Sequence, residues 1–139
     1  MAQSDYFPNI KKIEYEGAES DNPLAFTHYD ESQVVAGKTM KEHFRFAMAY
    51  WHSMTGTGGD PFGGGTKSFP WDDASDPMER NKNRMDAAFE FMTKMGMPFW
   101  CFHDIDVAED GPVGEIEERL QKMVEYAKEK QKATGIKLL

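Results

Sequence analysis

The chain has 139 residues with 16 Lys and Arg against 24 Asp and Glu, a formal net charge of −8. Its mass of 15.9 kDa fits one domain or a piece of one. So acidic a chain is poorly matched to a phosphate backbone, which argues against nucleic-acid binding. Its lone cysteine, Cys101, excludes an internal disulfide and a thiolate zinc cluster.

The opening MAQSDYFPN has no basic region followed by an apolar run, so no signal peptide is expected there. The longest apolar run, Phe46–Trp51, is far short of the roughly 20 residues of a membrane span. A cytoplasmic setting is the expectation. Hydrophobic residues make up 40% of the chain and aromatics 13%, enough to predict a packed core.

Residues 1–37 are broken by turn-formers such as Pro8-Asn9, Ser20-Asp21-Asn22-Pro23 and Gly37, and read as an irregular arm lying on something else. A short helix fits within Ser32–Phe44. The first predicted strand is Phe44–His52. Alternation along it puts Ala47, Ala49 and Trp51 on one face and Phe46, Met48 and Tyr50 on the other. Six of the next twelve residues, Thr55–Thr66, are glycine, which makes a long loop.

A well-marked helix follows. Asp76 caps it, Pro77 suits its first position and Glu79 completes a capping box. Met78, Met85, Ala88, Phe89 and Met92 fall on one face, and Gly96 stops it. This stripe reads as core packing. Pro98–Phe102 then reads as a second buried strand that turns polar at His103-Asp104-Ile105-Asp106. Ile116, Leu120, Met123, Val124 and Ala127 mark a second amphipathic helix, ended by Gly135, and Ile136–Leu139 begins a third strand.

Strand, loop, helix, strand, loop, helix, strand is the order of a parallel sheet with right-handed crossovers. Two helices cannot cover three parallel strands on both faces, so the fold is expected to be part of something larger. In such folds ligands bind at the carboxyl ends of the strands, which directs attention to Trp51-His52 and to the His103–Asp106 tetrad. His103 there suits a general base, with Asp106 folding back to hold its far ring nitrogen. The other reading is a strand-end histidine beside ordinary loop-capping aspartates. Trp51, above small Ala47 and Ala49, is either an apolar wall for a ligand or a core tryptophan. The glycine loop has neither the Gly-Lys-Ser/Thr order of a P-loop nor the third glycine of a dinucleotide fingerprint. Phe62 within it reads as an exposed docking residue. No metal site is expected from this segment alone.

Several blocks in order carry a family resemblance: Tyr15-Glu16-Gly17, Asn22-Pro23-Leu24-Ala25-Phe26, His28-Tyr29, Ala49-Tyr50-Trp51-His52, Pro61-Phe62-Gly63, Ala88-Phe89-Glu90-Phe91 and Phe102-His103-Asp104-Ile105-Asp106. The chain closely resembles the amino-terminal part of xylose isomerase, of the longer type with an amino-terminal arm, over essentially all its length. The resemblance implies a (β/α)8 TIM barrel that interconverts xylose and xylulose by a hydride shift. Two divalent ions, typically magnesium, polarise the sugar in that reaction. It implies that His103 assists opening of the sugar ring and Asp106 orients it. It also implies that Trp51 lines the sugar site and that Phe62 reaches into a neighbouring subunit's site of a tetramer.

The resemblance further implies that the family's metal ligands come from later strands, outside these 139 residues. Residues 38–139 would then be the first two βα units plus the start of a third strand, of a barrel of about 250 residues or more. The expectation is an incomplete barrel, inactive alone. Alternatives are an inactive folding or assembly piece that self-associates through open sheet edges as dimers or larger, and one half of a split enzyme.

Overall fold

The computed structural model describes residues 5–139, so the first four residues of the predicted arm, which also open the segment read as lacking a signal peptide, lie outside it. From Asp5 to Gln33 the chain has no helix and no paired strand, only an isolated parallel bridge between Tyr15 and Phe26. A two-stranded antiparallel hairpin follows, β1 (Val34–Val35) and β2 (Lys38–Thr39). Its two turn residues, Ala36 and Gly37, have φ of 51° and 80°. Positive φ at both positions is what the right-handed twist of a two-residue hairpin demands. The single turn α1 (Met40–His43) comes next, with Thr39 and Glu42 forming a capping box. The short helix expected in this stretch is therefore only four residues, and a hairpin occupies the rest.

Three parallel strands form the sheet: β3 (Ala47–Ala49), β4 (Phe99–Cys101) and β5 (Lys137–Leu138), in the order β3-β4-β5. Ala47 pairs with Phe99, Met48 with Trp100 and Ala49 with Cys101; Phe99 pairs with Lys137 and Trp100 with Leu138. The crossovers are α2 (Pro77–Met95) and α4 (Val113–Thr134). Alternation along the strands decides what is covered. Met48, Tyr50 and Trp100 are buried, with Met85, Ala88, Phe89 and Met92 of α2 and Met123 and Ala127 of α4 in the same core. On the other face Ala47, Ala49 and Phe99 are half-buried and Cys101 is exposed.

The ends of α2 carry the predicted cap and stop, but the capping box expected at Asp76 and Glu79 forms only in its Asp76 half. The Asp76 side chain accepts the Glu79 N–H, Pro77 takes the first position, and Gly96 closes α2 at φ 69°. Only glycine takes that left-handed conformation without a steric cost.

The strand predicted over Phe44–His52 needs correction. Pairing covers only Ala47–Ala49, and the chain then winds into a π-turn at Trp51–Thr55. Phe46 is also 47% exposed instead of sharing the core with Met48 and Tyr50. The tetrad is corrected likewise: Asp104–Val107 forms a helical turn, α3, where the sequence reading continued the strand. Among the described residues no helix is long and apolar enough to cross a membrane.

Candidate active site at the carboxyl ends of the strands

β3 and β4 are neighbours, and each ends in a helical turn. Trp51 opens the turn after β3, and His103 caps the turn after β4. Their rings lie 5.9 Å apart between centroids, edge to face at 64°. Trp51 is 49% exposed, so it is not a core tryptophan. His52 lies against it at 4.0 Å.

The helical turn explains how His103 meets Asp106. Residues three apart in a helix share a face. Asp106 Oδ2 therefore accepts the His103 backbone N–H at 2.8 Å and lies 3.2 Å from His103 Nδ1. A carboxylate only accepts hydrogen bonds, so Nδ1 is assigned the proton in this pair, which in the neutral ring leaves the lone pair on Nε2. Asp106 is 4% exposed while the His103 side chain is 67% exposed. The pair thus joins a buried carboxylate to a solvent-open imidazole. Asp104 does not join it: its Oδ1 accepts the N–H of Ile105 at 2.9 Å.

Other groups hold this corner together. Thr55, at the end of the π-turn, donates from Oγ1 to Asp106 Oδ1 at 3.1 Å. It is 51 positions away in sequence, and nothing in the sequence singles it out. The loop after α3 is tied down by Glu109, which takes a bidentate pair from Arg80 at 3.0 and 2.6 Å. The Arg80 guanidinium holds the Glu109 carboxyl below the usual carboxylate range, against an opposing push from burial. Arg84, nearly buried, reaches both Asp72 at 2.7 Å and Glu109 at 3.4 Å. In the core beside Trp100, burial pushes the hydroxyl of Tyr50 far above its ordinary range, so it stays neutral.

Phe62 stands apart. It is 97% exposed at a tight turn where Asp60 Oδ1 accepts the N–H groups of Phe62 and Gly63. A cavity of about 300 Å³, lined by Tyr15, Phe26, Tyr29, Phe44, Phe46 and Met97 among others, lies under the arm at the amino ends of the strands. That is the opposite end of the sheet from His103, and the charged residues of the cavity's lining are Lys12, Glu14, Glu31 and Lys41.

The donor set present does not fit a divalent metal. Among the described residues no three His, Cys, Asp or Glu side chains converge as ligands. Both oxygens of Asp106 are already engaged, one by His103 and one by Thr55.

These features define a class: an α/β protein of successive strand–helix units with a parallel three-stranded sheet, the His103–Asp106 pair lying where its strands end. Comparison with known proteins is more specific. The chain is 54% identical to the xylose isomerase of Phocaeicola vulgatus, over all of this chain and 32% of that protein. It is 57% identical to xylose isomerase 2 of Xanthomonas campestris pv. campestris, over all of this chain and 31% of that protein. With the xylose isomerase of Bacteroides thetaiotaomicron it shares 53% identity, again over its whole length and 32% of the relative. Along its full length, then, the chain matches xylose isomerase, and it spans about a third of the length of the curated relatives it matches. No protein-family profile matches it.

Proposed function

We propose that this chain supplies the ring-opening corner of a xylose isomerase, the first βα units of a (β/α)8 barrel preceded by an arm over residues 1–37. The observation that carries the reading is the His103–Asp106 pair, held beside the exposed Trp51 ring at the carboxyl ends of adjacent parallel strands. In this reading His103 Nε2 takes the proton of the anomeric hydroxyl of a cyclic aldopentose. The C1–O1 double bond forms as the bond from C1 to the ring oxygen breaks, and the ring oxygen takes a proton from water. The imidazolium then returns its proton to solvent. Asp106 holds the ring in the tautomer that frees Nε2 and stabilises the imidazolium. Trp51 supplies the apolar wall against the sugar's carbon face. Phe62 serves a neighbouring subunit's site.

Conversion of the opened aldose to the ketose in this family calls for divalent ions, magnesium as the first choice to test. The residues of this chain do not form their cage, so no step of that conversion is assigned to them. The 139-residue chain alone is expected to give no turnover of xylose with magnesium. Mixing it with the complementary carboxyl-terminal two-thirds of a relative is expected to restore turnover. Replacing His103→Ala in this chain should then lower the restored rate by about 10²- to 10⁴-fold. Turnover by the chain alone, or full restored activity with His103→Ala, would overturn the proposal.

A second reading has its own support. Among the described residues β3 and β5 each pair on one side only, and Phe46, Ile105 and Leu138 are exposed nearby. Open parallel edges of this kind favour self-association. A monomer by light scattering at tens of micromolar, with cooperative unfolding, would count against an assembly role.

A further inference from the structure

The Thr55 hydroxyl has one proton and two acceptors in reach, the Trp51 carbonyl at 3.2 Å and Asp106 Oδ1 at 3.1 Å. The two acceptors are not equivalent. The Trp51 carbonyl already receives the Gly56 N–H at 2.8 Å, the bond that closes the π-turn. Asp106 Oδ1 has no other donor among the described residues, and the residue is 4% exposed. A buried carboxylate oxygen left without a donor is costlier than a carbonyl that keeps one, and a charged acceptor makes the stronger bond. The proton therefore goes to Asp106.

From this we infer that Thr55 is a positioning residue: its hydroxyl pins one oxygen of Asp106 so that the other stays on His103 and fixes the Nδ1-protonated tautomer. The carboxylate is held at both ends. It cannot rotate about its terminal torsion without losing either Thr55 or the two His103 contacts. The π-turn adds a second consequence, because Trp51 starts the turn and Thr55 finishes it. One element therefore places both the wall and the latch. π-turns of this kind are frequent where a helix must set side chains for function. The catalytic meaning of the inference rests on the ring-opening reading; its geometry does not.

The test measures the His103 tautomers in the full 139-residue chain by ¹⁵N NMR, at a pH where the ring is neutral. Replacing Thr55→Val keeps the shape and removes the hydroxyl. The ratio of Nδ1-protonated to Nε2-protonated ring is expected to fall about threefold or more. Thr55→Ala should do the same, so the result does not hang on one variant. Thr55→Ser should keep the wild-type ratio. A packing role would make Thr55→Ser, which lacks the methyl, resemble Thr55→Ala, and that outcome overturns the inference. So does an unchanged ratio in Thr55→Val and Thr55→Ala. If the ratio moves but ring opening by the reconstituted enzyme does not, the positioning role stands and the ring-opening reading fails.

Discussion

The indole Nε1–H of Trp71 donates to the carbonyl oxygen of Met54 across 2.9 Å, and both residues are buried. Fourteen residues of glycine-rich loop, 56–69, run between the π-turn that holds Met54 and the 3₁₀ turn (Pro70–Asp72) that holds Trp71. The bond closes that loop at its base, and Tyr6, Phe7 and Phe69 pack on the indole from the arm and the loop end.

Trp71→Phe keeps a ring but leaves the buried Met54 carbonyl without its partner. We expect a loss of about 1–3 kcal/mol in urea titration. Trp71→Ala removes the ring contacts as well and should cost about 3–5 kcal/mol. Equal losses in the two variants would show that the hydrogen bond carries the whole effect.

Acid should weaken the fold through Glu109. Its carboxyl is held below the usual range, chiefly by the Arg80 hydrogen bond. A depressed carboxylate contributes stability above its unfolded value and loses it as pH falls through the folded one. The Tm difference between wild type and Glu109→Gln should thus be largest near about pH 7 and shrink towards about pH 3. A difference that grew on acidification would refute this assignment.

Glu90 and Lys94 of α2 fasten the start of the arm, and Lys94 Nζ donates to the Phe7 carbonyl at 2.6 Å. Glu90 accepts the backbone N–H groups of Tyr6 and Phe7 at 2.8 and 3.1 Å, and pairs with Lys94 at 2.6 Å. Replacing Glu90→Ala should release residues 5–10 and speed proteolysis near Phe7 well before the core opens. Cleavage at an unchanged rate would mean that the Lys94 contacts and the packing of Phe7, not Glu90, hold the arm.

Ala36 bears a side chain in a left-handed conformation, φ 51°. That costs an L-residue about 1–2 kcal/mol, while glycine loses some of the gain to unfolded-chain entropy. Ala36→Gly or Ala36→Asn is therefore expected to stabilise the hairpin by up to about 1 kcal/mol. Faster amide exchange at Val35 and Lys38 in either variant would contradict this.

Helices were legible in the sequence because their ends carry stereochemical marks: Asp76, Pro77 and Glu79 at one end of α2 and Gly96 at the other. Strand extents were not. An apolar run such as Phe44–Trp51 satisfies a buried strand and a buried turn alike, and only the partner strand decides how far pairing continues. The hairpin at Val34–Thr39 was missed although Gly37 and the flanking valines hinted at it. The His103–Asp106 contact was readable from spacing, since a chain leaving a strand returns the third residue to the first when it coils. Thr55 was not readable, because its role depends on two strand ends being neighbours, a fact of the tertiary fold alone.

The five-residue winding after β3 also sets how the chain tolerates length changes. Each residue of an α-helical turn rotates the next side chain by about 100°. Deleting one residue between Trp51 and Thr55 would tighten the coil to an ordinary four-residue repeat and swing the indole away from the imidazole by an angle of that order. A sequence shortened by a single position here would keep its sheet and helices yet face its tryptophan elsewhere.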